Sequence, residues 1–476
     1  MPTPDSIVYE DSSGKIHPGS YDPAEVFLGH PKGLYVLFLT EMWERMSYYG
    51  MRALLVLYMV KYLFVRPDVQ NVMGYAALKR VMESVYGPLA VQQMSSIIYG
   101  LYTSFVYLTP FFGGIIADRW LGRRNMVYVG GVLMAIGHFL MAGPDWFFLA
   151  LLFIILGNGA FKPNISTQVG ELYAPGDTRR DGAFTIFYMG INLGAFMSPL
   201  ICGTLGQKLG WHWGFGAAGA GMILGLTIYY FGQKYIKPHP ANVQQSRLEQ
   251  KQLDTMAKNS KKMSAEEWKI VLALAALCLL NAVFWAVYEQ QGNTMQLWAD
   301  NQTDWNFFGW EMPSTWYQSF NPLMILLFAP ILGIFWRKQS EQQREPSSVI
   351  KMAIGCLLLG LAFVVMVGGA YVVGDGKGSV GWLIATAFAL TLGELYLSPV
   401  GLSLVTKVAP GRMVSMLMGV WLMSNFIGNY FSGYLGSFYE QIPHSAFFAI
   451  MAGLSLATAL AIAAFNKPLR AALGRH

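Results

Sequence analysis

The chain has 476 residues, of which 54% are hydrophobic and only 13% charged, with a formal net charge of +6. Soluble domains carry about 25% charged residues. The composition therefore excludes an ordinary soluble enzyme or nucleic-acid-binding module and indicates an all-α integral membrane protein. The basic excess is assigned to loops at a membrane surface. Cys202, Cys278 and Cys356 lie in apolar runs without motif spacing, so neither a disulfide framework nor a metal site is expected.

Residues 1–32 are polar, with Pro and Gly, and lack the apolar core of a signal peptide. They are expected to form a cytoplasmic tail, and the first span to direct insertion. A membrane-crossing helix needs about 20 mostly apolar residues. Twelve such runs follow, at 33–64, 92–117, 125–144, 147–168, 183–206, 213–236, 268–292, 316–336, 349–373, 381–406, 412–436 and 444–465. The stretch 65–91 between the first two is too polar to cross and suits a short surface helix. The stretch 237–267 is basic and Gln-rich, and is expected to be a cytoplasmic linker. It divides the chain into a first six-helix bundle at 33–236 and a second at 268–465, followed by a cytoplasmic tail at 466–476.

Lys and Arg fall in alternate loops: Arg119, Arg123 and Arg124, then Arg179 and Arg180, then the 237–267 linker, then Arg337, Lys338 and Arg344, then Lys407 and Arg412. The positive-inside rule puts those loops and both termini in the cytoplasm. Two six-span halves, each with a basic loop after its second span, have the layout of a major facilitator transporter, in which substrate binds between the halves.

The stretch "TEMWERMSYYGMRALL" places Glu41, Glu44, Arg45 and Arg52 inside the first apolar run. At 100° per residue these four, with Tyr48 and Tyr49, fall within an arc of about 140°. Trp43, Ser47, Gly50 and Leu54 fall on the other side. A charge facing lipid at mid-span costs about 2.5–3.5 kcal/mol, so four facing lipid would cost on the order of 10 kcal/mol. The stripe must face a wet cavity or partners on other helices. A buried ion pair that fastens helices is the plain alternative, but such pairs are weak sources of stability. Further mid-span charges are Lys162, Glu289 and Glu394. Cations thus predominate in the first half, and the second half is acidic at this depth. A cavity so polarised suits a zwitterion with a carboxylate at one end and an ammonium at the other. Tyr48, Tyr49, Tyr102, Trp285, Tyr288 and Trp421 lie deep enough to line such a cavity. Pro163, Pro199, Pro322 and Pro399 are expected to kink their spans late in the helix. His138 stands alone in its span, and no His pair, Ser/Lys or Asp/Asp arrangement supports intramembrane catalysis.

"EMWERMSYYG" resembles the ExxERFxYYG motif of the proton-dependent oligopeptide transporters, the peptide branch of the major facilitator superfamily. "GNGAFKPNISTQVGELY", "FTIFYMGINLGAFMSP" and "GELYLSPVGLSLVTKVAP" resemble three further signatures of that family. Met46 replaces the motif's Phe, an exchange between bulky apolar residues. Many bacterial members carry two extra helices between the halves, and the linker here is too polar to supply them.

The resemblance implies a secondary active transporter, not an enzyme, that carries di- and tripeptides with protons into the cell. It implies the inner (plasma) membrane as location, a monomer as working unit, and no cofactor beyond the proton gradient. Its implied partners are peptide, protons and the lipid bilayer, and no nucleic acid. It assigns proton coupling to Glu41, Glu44, Arg45 and Glu289. It assigns substrate binding to Tyr48, Tyr49, Arg52, Tyr102, Lys162, Asn192, Trp285, Asn321, Glu394 and Trp421. Cross-half salt bridges Arg52–Glu289 and Lys162–Glu394 are implied as gates. Which of Glu41 and Glu44 carries the proton stays open. So do three alternatives: the same fold carrying nitrate, another small anion or an amino acid; a non-transporting peptide sensor; and, in a different class, an intramembrane enzyme.

Overall fold

A computed structural model describes residues 8–10, 16–18, 26–174, 177–239, 265–408 and 414–472. The apolar runs fold as helices because a backbone in hydrocarbon must satisfy its own hydrogen bonds. Twelve long helices are present among the described residues. In the first half they are α1 (Lys32–Lys61), α2 (Val91–Ile116), α3 (Arg123–Leu140), α4 (Phe147–Glu171), α5 (Arg179–Ser198) and α6 (Trp211–Gly232). In the second half they are α7 (Ala265–Tyr288), α8 (Phe320–Glu341), α9 (Ser348–Val373), α10 (Gly381–Val408), α11 (Val414–Gly436) and α12 (His444–Ala472). Ten are long and apolar enough to cross a membrane by length and composition. The other two, α3 and α11, pack with them as members of the two bundles. Three two-stranded hairpins are the only sheets among the described residues.

Observed helix ends fall close to the expected ones, with three informative differences. α8 runs from Phe320 to Glu341, against an expected 316–336. α12 continues to Ala472, beyond the expected end at 465. α7 begins at Ala265, inside the stretch expected to be linker. Charged residues such as Glu266 and Lys467 end the apolar run, so hydropathy stops marking the helix where the backbone continues it. Of the remaining expected linker, 240–264 lies outside the described residues, as does most of the expected amino-terminal tail. So does Arg412 of the expected basic loops.

The prolines act differently from one another. Pro199 opens a π-helical turn, Pro199–Gly203, that bends the fifth span before it resumes at Thr204–Lys208. Pro163 and Pro399 lie inside α4 and α10. Pro322 does not kink a span late, as expected. It is the third residue of α8, after a 3-10 turn at Ser314–Ser319. There its missing N–H falls among groups that have no intrahelical acceptor.

Within the first half, α1 packs on α5 and α6, and α4 packs on α2 and α3. Within the second half, α9 packs on α10 and α12, and α7 on α11 and α12. The halves meet along α2–α11 and α5–α8. The cross-half hydrogen bonds cluster at one end of the molecule, where α1 ends and α2 begins, here termed the closed face. Lys61 pairs with Asp300, and Gln207 donates to Asp300 at 3.2 Å and to Ser314 at 2.9 Å. Gln92 donates to the Gly436 carbonyl at 2.9 Å, and Ser96 to Asn293 at 2.9 Å. Tyr86 and Tyr430 share a hydroxyl bond of 2.5 Å. Ser319 donates to the Phe196 carbonyl, deeper in the fifth span and beside the cavity, at 2.9 Å.

Backbone contact between α2 and α11 depends on two glycines. A Cβ on Gly100 would lie 2.5 Å from the Gly433 Cα. Gly100→Ala therefore forces the halves apart at the closed face. It is expected to slow transport and to widen spin-label distances across that face, measured by double electron–electron resonance. Unchanged distances would show that the glycine contact does not set closure.

Candidate functional site

The charged stripe on α1 divides into two parts in the structure. Glu41, Glu44 and Arg45 are buried within the first half, at 1%, 0% and 3% exposure. Both Arg45 Nε and Nη2 donate to the Glu44 carboxylate, the latter at 2.7 Å, and Arg45 Nε lies 3.2 Å from Glu41 Oε1. Glu41 Oε2 is buried without a hydrogen-bond partner. The Arg45 guanidinium also lies 5.1 Å from the Tyr48 ring centre. On the opposite side of α1, Ser47 donates to the Ala218 carbonyl of α6 at 2.6 Å. The stripe thus does not face one open cavity along its length. The half turn that carries Glu44 and Arg45 satisfies its charge internally, as buried ions require.

The far end of the stripe does reach a cavity. Arg52 pairs with Glu289, where α7 ends and a 3-10 turn, Glu289–Gly292, begins. Its Nε donates to the Tyr99 hydroxyl at 2.8 Å. Its guanidinium lies 5.9 Å from the Tyr49 ring centre and 5.6 Å from that of Tyr99. A cavity of about 140 Å³ lies between the halves beside this pair. Tyr49, Arg52, Asn192, Trp285, Tyr288, Glu289, Asn321 and Glu394 line it. Opposite Arg52, the Glu394 Oε2 accepts from the Tyr288 hydroxyl at 2.5 Å and from Asn321 Nδ2 at 3.1 Å. Asn321 Nδ2 also contacts Thr391 at 3.0 Å. Asn192 Nδ2 is turned back onto the Tyr188 carbonyl of its own helix at 2.9 Å.

Four expected binding residues stand apart from this cavity. Tyr48 and Tyr102 stack at 6.4 Å and are buried. Trp421 is buried over α10, where a Cβ on Gly401 would meet its ring at 2.3 Å. Lys162 lies with its ammonium 4.9 Å from the Tyr107 ring centre. The structure does not pair Lys162 with Glu394. The Glu394 carboxylate takes donors from its own half, and Lys162 takes an aromatic face from its own half. Glu394 lines the cavity, and Lys162 lies outside its lining.

Tyr107, Tyr188, Gln291 and Gln318 also line the cavity, and sequence reasoning did not single them out. Gln318 donates to Gln296 at 2.8 Å and to the Ala53 carbonyl at 3.4 Å, bridging the second half to α1. Uncharged polar residues find hydrogen-bond partners within a bundle without an ion pair, so they stand out less than a mid-span charge. The available signal for Gln291 was its place two residues after Glu289, where "EQQGN" breaks the helical pattern. Among the described residues, no group of three or more His, Cys, Asp or Glu is placed to hold a metal ion.

Two helical bundles that enclose a charged cavity, joined across one face by polar contacts and a glycine crossing, define a secondary transporter of the major facilitator fold. The model of the POT family matches residues 124–252 and 241–453. A di-/tripeptide transporter of Lactococcus lactis subsp. cremoris is 32% identical, over 94% of this chain and 98% of that protein. The peptide transporter YePEPT of Yersinia enterocolitica subsp. palearctica is 35% identical, over 86% of this chain and 88% of that protein. A crystal structure of a mutant POT peptide transporter in complex with alafosfalin is similar with a TM-score of 0.79 and 34% identity, covering 95% of this chain and 97% of that one. The chain belongs to the POT family, as its motifs indicated.

Proposed function

We propose that the protein carries di- and tripeptides into the cell with protons, by alternating access across the cytoplasmic membrane, with both termini in the cytoplasm. The observation that carries this is the polarised cavity between the halves, with Arg52 toward one side and Glu394 with Asn321 toward the other. A free peptide has a carboxylate that competes with Glu289 for Arg52. Its ammonium suits the carboxylate of Glu394, and its side chains suit Tyr49, Trp285 and Tyr288. The curated relatives named for peptides support that substrate class. A nitrate carrier would have no use for Glu394 in the same cavity as Arg52.

Proton coupling is assigned to the α1 cluster, and within it to Glu41. Both Glu44 oxygens are held by Arg45, whereas one Glu41 oxygen is buried without a donor. A buried carboxylate with an orphan oxygen gains most from taking a proton. Arg52–Glu289 acts as the gate at the closed face. Lys162 and Glu394 are assigned to the opposite gate, paired when that side shuts. With the amino end in the cytoplasm, the closed face is the outer one, and the conformation described here faces inward.

Uptake of labelled dialanine into proteoliposomes tests the proposal. Accumulation under an inward proton gradient, inhibited by excess dipeptide and not by nitrate, is expected. Binding without uptake would instead establish a sensor. Loss of one charged hydrogen-bond partner costs about 1.5–3 kcal/mol, or one to two orders of magnitude in affinity. Glu394→Gln is therefore expected to raise the KM for dialanine by about that factor and to leave the affinity for N-acetylated dialanine nearly unchanged. An equal loss for both peptides would remove Glu394 from the ammonium site.

A further inference from the structure

The segment between α1 and α2 takes no part in the transport cavity, yet its helix, Tyr75–Tyr86, has an apolar sector wider than the protein covers. At 100° per residue, Tyr75, Leu78, Met82 and Tyr86 fall within an arc of about 80°. They pack on the first half, with Tyr75 and Met82 only 5% and 3% exposed. Beside them, Ala77, Val81 and Val85 extend the apolar sector by about another 80°. Val81 and Val85 are 61% and 68% exposed. Lys79, Arg80, Glu83 and Ser84 occupy the rest of the circumference. A helix on an aqueous surface carries polar residues on both flanks of its buried stripe. This one does so on one flank only.

The helix is held at a definite depth. Phe64, just before it, packs on Tyr75 at 5.7 Å and stacks on Phe148 at 6.4 Å. The Met73 N–H donates to the Asp145 carbonyl at 2.9 Å. These contacts fix it beside the first turn of α4, next to Trp146 and above Leu152, which are 48% and 49% exposed. An exposed tryptophan at the end of a span, with exposed leucine below it, marks the boundary between water and hydrocarbon. The uncovered valines thus lie on a helix held at the level of that boundary.

We propose that Tyr75–Tyr86 is an interfacial helix whose partner is the lipid leaflet at the closed face. Val81 and Val85 enter the boundary between headgroups and acyl chains and Arg80 reaches lipid phosphates, while Lys79 and Glu83, paired at 3.8 Å, and Ser84 face water. The segment thereby seats the first half in the membrane at the face that the second half must leave and rejoin.

The test is nitroxide labelling at single introduced cysteines in proteoliposomes of phosphatidylethanolamine and phosphatidylglycerol. The native thiols Cys202, Cys278 and Cys356 are buried and leave the exposed positions to report alone. Labels at Val81→Cys and Val85→Cys are expected to collide with oxygen, which concentrates in lipid, severalfold more than with a water-soluble nickel chelate. Labels at Ala76→Cys and Ser84→Cys are expected to show the reverse preference. If all four positions prefer the chelate, the stripe is aqueous and the proposal falls. If Val81 and Val85 are shielded from both probes, protein and not lipid covers the stripe, which also overturns it.

Discussion

Arg52→Met is expected to abolish dialanine uptake and to destabilise the folded transporter by about 3–5 kcal/mol, the usual cost of breaking a buried ion pair from one side. Arg52 and Glu289 are 7% and 1% exposed, and they face each other across the two halves at the closed face. Removing the cation leaves the Glu289 carboxylate without its charge partner and the Tyr99 hydroxyl without its donor. Thermal denaturation in detergent measures the first effect and proteoliposome uptake the second. The double variant Arg52→Met with Glu289→Leu separates them. Replacing both members of a buried pair by apolar residues is often neutral or stabilising. The double variant should therefore recover the melting temperature of the parent and still not transport, because the peptide carboxylate has lost its cation. If the double variant transports, Arg52 serves to hold the fold and is not part of peptide recognition.

The helical architecture was legible because hydrocarbon admits few backbone solutions. Twelve runs of sufficient length gave twelve helices, and their ends shifted mainly where α7, α8 and α12 extend past the apolar core. The site was legible in part. Charge inside an apolar run is costly, so Glu41, Glu44, Arg45, Arg52, Lys162, Glu289 and Glu394 all stood out. Their division of labour did not. A helical wheel places Glu44 and Arg52 on one face, but the partners of that face change along α1. Arg45 closes on Glu44 inside one bundle, while Arg52 one turn or two further on crosses to the other. Those partners come from helices separated by up to 237 residues in sequence. Tyr107, Tyr188 and Gln318 were missed for a related reason. Each is uncharged, and only the packing of α2, α5 and the turn before α8 around one void gives them a common position. Lys162 and Glu394 were expected to meet, and the present conformation gives each a partner in its own half. The proposed gate would have two sets of partners, and one conformation displays one set.

Glu41→Gln is expected to remove proton-driven accumulation of dialanine while sparing peptide counterflow. Glutamine has nearly the shape of a protonated glutamate and cannot lose the proton. The side chain is fully enclosed and its Oε2 has no donor, so the exchange removes a buried charge; it gives up only the 3.2 Å contact of Oε1 with Arg45 and leaves the Arg45–Glu44 pair intact. The melting temperature is expected to fall less than for Glu44→Gln, because Arg45 keeps both of its bonds to Glu44. Counterflow needs only the loaded carrier to exchange conformations, so its rate should be close to that of the parent. Glu44→Gln makes the contrast. It withdraws one oxygen and the charge from a guanidinium that both oxygens hold, and should lower the melting temperature as a broken buried pair does. Measuring accumulation and counterflow for both variants over a range of imposed pH gradients distinguishes the two. If Glu44→Gln uncouples transport and Glu41→Gln still concentrates dialanine against its gradient, the proton rides on Glu44. The orphan oxygen of Glu41 would then be a packing feature of the closed first half.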